Sequence, residues 1–172
     1  MPLEDSIIKN QISEEQLAES LYYFAKKFGI DFVSYEMAKE SSPFKKADKE
    51  IFAHERLIMI FWIIDAFFAD RDRKLTISVH KKYFADLGIL NNREEVKKEL
   101  DFIMSRYKEY YDAYNEKAGA EQYLLGSIVA KNILREDKLV LNILISSLVA
   151  MDVIFLVKQL RESIFDKYEI IK

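Results

Sequence analysis

Residues 57 to 69 read LIMIFWIIDAFFA, a run in which Asp65 is the single polar side chain. A helix built from this run is apolar on every side, so it has no face for water and must be surrounded by other elements. That requirement sets the plan of the chain: a central helix, with amphipathic helices covering its circumference. Ile60, Phe61, Ile64 and Phe68 are the expected core. The chain has only four Gly and two Pro in 172 residues, far fewer than the turns of a strand-rich fold require. The expected class is therefore all-α. We expect a bundle of six or seven helices, with one or two very apolar central helices wrapped by amphipathic ones. The short links leave no internal boundary, so a single domain over 1–172 is expected.

Local signals place the elements. Ser13 and Gln16 form a capping box, followed by Leu17, Leu21, Phe24 and Phe28 at helical spacing, with Gly29 as a left-handed cap. A short helix over 31–39 follows. Ser42 and Pro43 read as the cap and first turn of the helix that enters the apolar run. The charged residues 70–74 end that helix, and Thr76 or Ser78 opens another that closes at Gly88. Asn92 and Glu95 form a second capping box before a long amphipathic helix ending near Gly119. A sixth helix covers 121–134, with Gly126 as a close-packing point. Asp137 caps a last helix reaching about residue 168.

The segment 139–157 is also very apolar, with 15 apolar residues in 19, and its length would suit a membrane span. Asp152 opposes that reading, since an acid at the centre of a span costs about 2.5–3.5 kcal/mol. Asn142 adds to the penalty, and basic residues flank both ends. A buried helix is expected, with membrane association through residues 139–157 as the third-ranked reading. Aligning Leu57 with Leu144 superposes Asp65 on Asp152 and Phe68 on Phe155, a match that apolar runs reach easily by chance.

Charge narrows the partners. The formal net charge is −3, which provides no general attraction for phosphate backbones or anionic lipid, so no nucleic-acid partner is expected. The absence of Cys excludes disulfides, thiolate catalysis and cysteine zinc sites. The opening MPLEDSIIKN lacks a basic stretch followed by an apolar one, which reads as cytoplasmic.

Candidate functional residues are few. Asp65 and Asp152 each sit alone in an apolar run, and a buried carboxylate needs a partner or a raised pKa. Partners are expected among Lys, Arg, Tyr and Ser of other helices, in a structural role. The alternative is a pocket around these acids that serves a small ligand or a reaction. His54 and Glu50 share a helix face, but two ligands do not make a metal site. No metal or cofactor is expected. Asp70 and Asp72 occupy the first and third positions of a loop that resembles an EF-hand in outline. Leu75 stands where that loop needs Gly, and Lys81 where it needs a bidentate Glu, so calcium is not expected. Arg73 and His80, with six residues between them, resemble the Arg-x6-His motif of the HEPN ribonucleases. That resemblance implies an all-α bundle in which the arginine holds a phosphate and the histidine serves as base or acid. Arg73 reads, however, as the end of one helix and His80 as part of the next. Tyr107, Tyr110, Tyr111 and Tyr114 stripe one long helix, a pattern that suits either an interface or a core boundary.

The reading favoured on these grounds is a non-enzymatic, helical interaction or regulatory protein that acts through protein contacts, with self-association expected. A ligand-binding protein or enzyme around Asp65 and Asp152, or a HEPN-like ribonuclease using Arg73 and His80, is the alternative.

Overall fold

The computed structural model describes residues 10–68, 73–115, 121–135 and 143–170. Among them, seven α-helices run in the order α1 Glu14–Lys26, α2 Phe32–Ala38, α3 Lys49–Phe68, α4 Arg73–Asp86, α5 Arg93–Asn115, α6 Glu121–Leu134 and α7 Ile143–Leu160. The fold is all-α. Among the described residues it also carries a parallel pair of three-residue strands, β1 Asn10–Ile12 and β2 Tyr168–Ile170, which sets Ile12 opposite Ile170.

The apolar run occupies the position its composition demands. Every residue from Leu57 to Ile64 is buried, as is Phe68, and α3 packs against α1, α2, α4, α5 and α6. α7 behaves differently. It packs mainly on α6 and leaves Leu148, Ile154 and Phe155 nearly half exposed and Met151 more so. One apolar helix is central, and the other lies at the edge. Among the described residues no helix is long and apolar enough to cross a membrane; residues 139–142 of the segment considered above lie outside the description.

The α6–α7 contact depends on Gly126. A methyl group there would sit 2.1 Å from the Ser146 carbonyl oxygen, so only glycine lets the two backbones approach this closely. Ser127 Oγ donates to Ser146 Oγ at 2.9 Å in the same crossing, which satisfies two hydroxyls that would otherwise be buried alone.

Several local expectations are corrected. The Ser13 capping box is present, but Gly29 does not end the helix. It lies in a π-helical turn, Lys27–Asp31, that joins α1 directly to α2, and its bare Cα faces Leu57 of α3. Packing against the central helix, not a reversal, is what glycine serves there. Ser42 accepts from the Phe44 amide in a turn, whereas α3 begins seven residues later, at Lys49. Its cap is Asp48, whose Oδ1 accepts from Glu50 and Ile51 amides at 2.9 and 3.1 Å. Arg73 opens α4 rather than ending α3. At the other end of α4, Gly88 has φ +72°, and amide bonds from Gly88 to Ala85 and from Ile89 to Phe84 form a Schellman closure. Asn92 Oδ1 caps α5 by accepting from the Glu95 amide. Asp70 and Asp72 of the EF-hand-like loop, Gly119 and Asp137 lie outside the described residues.

Candidate functional site

Asp152 finds its partner 96 positions upstream. Arg56, the last charged residue before the apolar run of α3, grips it with both terminal nitrogens: Nη1 donates to Oδ2 and Nη2 donates to Oδ1, the latter at 3.0 Å. Nε donates to the Phe28 carbonyl at 2.7 Å, and the guanidinium lies 3.6 Å from the centre of the Phe32 ring. The pair therefore ties α3, α7 and the π-helical turn together. It is well shielded, with side-chain exposures of 5 % for Arg56 and 15 % for Asp152. Both residues line a cavity of about 220 Å³, whose other walls include Phe32, Phe44, Phe52, Met59 and Val149. Lys39 and Glu36 form a second ion pair there, at 2.7 Å.

Asp65 has a different setting. It accepts from Tyr111 OH at 2.9 Å, close to a second polar contact in which His80 Nε2 and Tyr107 OH share a hydrogen bond at 2.9 Å. The structure thus gathers Asp65, His80, Tyr107 and Tyr111 at the junction of α3, α4 and α5. Asp152 is elsewhere, so the two acids do not converge on one pocket. His80 is buried, edge-on to Phe61, and burial pushes its pKa down to about 4 against a weaker opposing pull from Asp65. Arg73 is exposed at the first position of α4. A neutral histidine sealed against a tyrosine and a phenylalanine is built for packing, and solvent does not reach it as a catalytic base requires.

The same burial makes His80 a source of acid sensitivity. Below about pH 6.5 the unfolded chain protonates this imidazole while the folded chain resists down to about pH 4, so stability falls as pH drops through that window. His80 is expected to account for about 3 kcal/mol of that loss. Urea midpoints at pH 7 and pH 4 check this: His80→Gln should flatten the difference by that amount, and an unchanged pH slope would contradict it.

Two further networks escaped sequence reasoning. Glu55, buried in α3, accepts from Arg106 Nε at 3.0 Å and Nη2 at 2.8 Å. Arg106 also donates to Glu109 at 3.1 Å, which accepts from Asn132 Nδ2 at 3.0 Å. Burial alone would lower the Arg106 pKa, but the Glu55 carboxylate outweighs it and the pKa is raised. In the second network, His54 Nε2 lies 2.6 Å from Glu99 Oε1, which also accepts from Tyr83 OH at 2.9 Å. Burial works to raise the Glu99 pKa, yet these hydrogen bonds hold it below its ordinary value. His54 sits half-buried beside an open groove, as a boundary histidine would. Among the described residues, no group of three or more His, Asp or Glu side chains is placed to hold a metal ion.

The tyrosine stripe turns inward. Tyr107 and Tyr110 are buried, and Tyr111 is half-buried. Tyr110, Tyr111 and Tyr114 present edge contacts to Trp62 at 5.8, 5.5 and 6.1 Å. Only Tyr114 is exposed to solvent. The stripe lies at a core boundary beside α3, with Tyr114 and part of Tyr111 left at the surface.

The exposed apolar surface lies on α7 instead. Leu148, Met151 and Phe155 follow at intervals of three and four, with Ile154 beside them, so they form one stripe. Met151 is 66 % exposed. At its C-terminal end the stripe meets Lys158 and Glu162, which pair at 3.7 Å.

No family model, no curated protein and no solved structure matches the chain.

Proposed function

We propose that this protein is a non-enzymatic interaction module whose first partner is a second copy of itself, docked through the exposed face of α7. The observation that carries this reading is the stripe of Leu148, Met151, Ile154 and Phe155 exposed along one face of α7. Side chains of this size, half exposed, offer on the order of 100 Å² each. Together they present roughly 400 Å², within the range of the largest apolar patches on soluble proteins, which are often functional. Two such stripes related by a twofold axis would bury about 800 Å² from these residues alone. Flanking atoms bring that past the ~1,000 Å² of a stable contact. A twofold suits the sequence of the stripe, because one self-complementary patch serves both copies. The adjoining groove of about 720 Å³, lined by Trp62, Tyr111, Tyr114 and Ile154, extends the apolar surface. The buried state of His80 and the internal partners of Asp65 and Asp152 favour structural roles for the residues a catalytic reading would use.

Light scattering on the full chain at micromolar concentration tests this. A dimer of twice the 20.3 kDa chain mass is expected, and Met151→Glu should return it to a monomer with helical content unchanged. A wild-type monomer overturns the reading, as does a dimer indifferent to Met151→Glu. Binding of the stripe to neutral lipid vesicles, lost in Met151→Glu, with no dimer in solution, would overturn it in favour of a membrane surface.

A further inference from the structure

The cavity beside the Arg56–Asp152 pair shares Leu148 with the α7 stripe, but its polar wall is not part of that stripe. A guanidinium carries five N–H donors, and Arg56 commits three: Nε to Phe28, and one on each terminal nitrogen to Asp152. Each terminal nitrogen keeps a second N–H with no acceptor among the described residues. The Arg56 side chain as a whole is only 5 % exposed, and each terminal nitrogen is already held by one bond to Asp152. Arg56 lines the cavity, so an occupant of the cavity is the natural source of an acceptor.

Charge selects the occupant. The walls hold two cations, Arg56 and Lys39, and two anions, Asp152 and Glu36, already paired with each other. A charged ligand would add one uncompensated charge to a balanced, shielded site. A neutral oxygen acceptor satisfies the N–H groups and leaves the balance intact. The remaining lining, from Phe44, Phe52, Met59, Val129 and Ile133, is apolar and asks for a hydrocarbon body. Size follows from volume: an apolar cavity of about 150 Å³ accommodates benzene, so about 220 Å³ accommodates roughly nine non-hydrogen atoms. Lys39 and Leu148 are partly solvent-exposed, which puts the opening between α2 and α7.

We infer that this cavity is a binding site for a small uncharged molecule with an apolar body and a carbonyl-type oxygen that accepts from Arg56. It does not rest on the dimer reading, since the cavity lies within one copy of the chain.

Titration of the isotopically labelled full chain by NMR tests it, with 2-octanone, octanoate and octylammonium as probes of matched length. Saturable shifts at Val129, Val149 and Asp152 and at the Arg56 Nε–H are expected with 2-octanone, at least about tenfold tighter than with either ion. Val129→Phe, which fills the cavity, should abolish them. Arg56→Lys keeps the charge but loses the outer N–H pair, and should weaken the ketone about tenfold. Tighter binding of octanoate or octylammonium overturns the neutral-ligand assignment. Absence of saturable binding by all three probes overturns the site. Should either variant fail to fold, the order of the three probes on the wild-type chain still decides the proposal.

Discussion

Asp152→Ala is expected to destabilise the fold by about 3–5 kcal/mol, because it strands the Arg56 guanidinium in a shielded site with its charge uncompensated. Arg56 cannot turn to solvent without abandoning the Phe28 carbonyl and the face of Phe32. Replacing both partners should be much milder. An Arg56→Met, Asp152→Leu double variant fills similar volume without burying charge, and most of the loss is expected to return. Urea unfolding of the two single variants and the double variant completes the cycle. Additive losses would mean that the two residues do not act as a pair, and would sink this account of how α7 is tied to α3.

Phe61→Ala is expected to cost about 3–5 kcal/mol, combining lost transfer energy with the cavity left behind. Phe61 is buried at the middle of α3, stacked at 6.4 Å on Tyr22 of α1 and edge-on to Tyr83 of α4 at 5.3 Å and His80 at 5.5 Å. Its neighbours are aromatic rings on two different helices, α1 and α4, which cannot close on the void together. Thermal or urea unfolding measures the loss, and a cost below about 1 kcal/mol would show that α3 is not the centre the helices are built around. Leu148→Ala, on the exposed face of α7, provides the contrast and should change monomer stability little.

Much of the fold was legible because its signals are local. Ser13 with Gln16 and Asn92 with Glu95 mark helix starts within four residues. The all-round apolarity of residues 57–64 demanded burial wherever the chain placed them. Where a local signal failed, a tertiary contact outweighed it. Gly29 resembled a helix stop, but the chain used the missing side chain to pack against Leu57. Ser42 and Pro43 resembled a helix start, but Asp48 supplied the better cap.

The candidate sites were legible only in part. A lone acid in an apolar run announces that it needs a partner, and this singled out both Asp65 and Asp152. It does not say which partner. Arg56 lies 96 positions from Asp152, and Tyr111 lies 46 from Asp65. Glu55 and Arg56 stand next to each other in sequence, yet they serve different neighbours of α3, one toward α5 and one toward α7. The four tyrosines of α5 share a helix face, and nothing local tells whether that face meets the core or solvent.

The sequence by itself determined that this chain is helical, that residues 57–64 are buried and that Asp65 and Asp152 need polar partners, because propensity, periodicity and desolvation act on a residue whatever its distant neighbours. Tertiary structure alone decided that α7 keeps an exposed apolar stripe, that Tyr107 and Tyr110 turn inward, and that Arg56 pairs with Asp152 beside a cavity. Those outcomes depend on which faces meet across long separations, and that is settled by how helices of limited number cover one central helix.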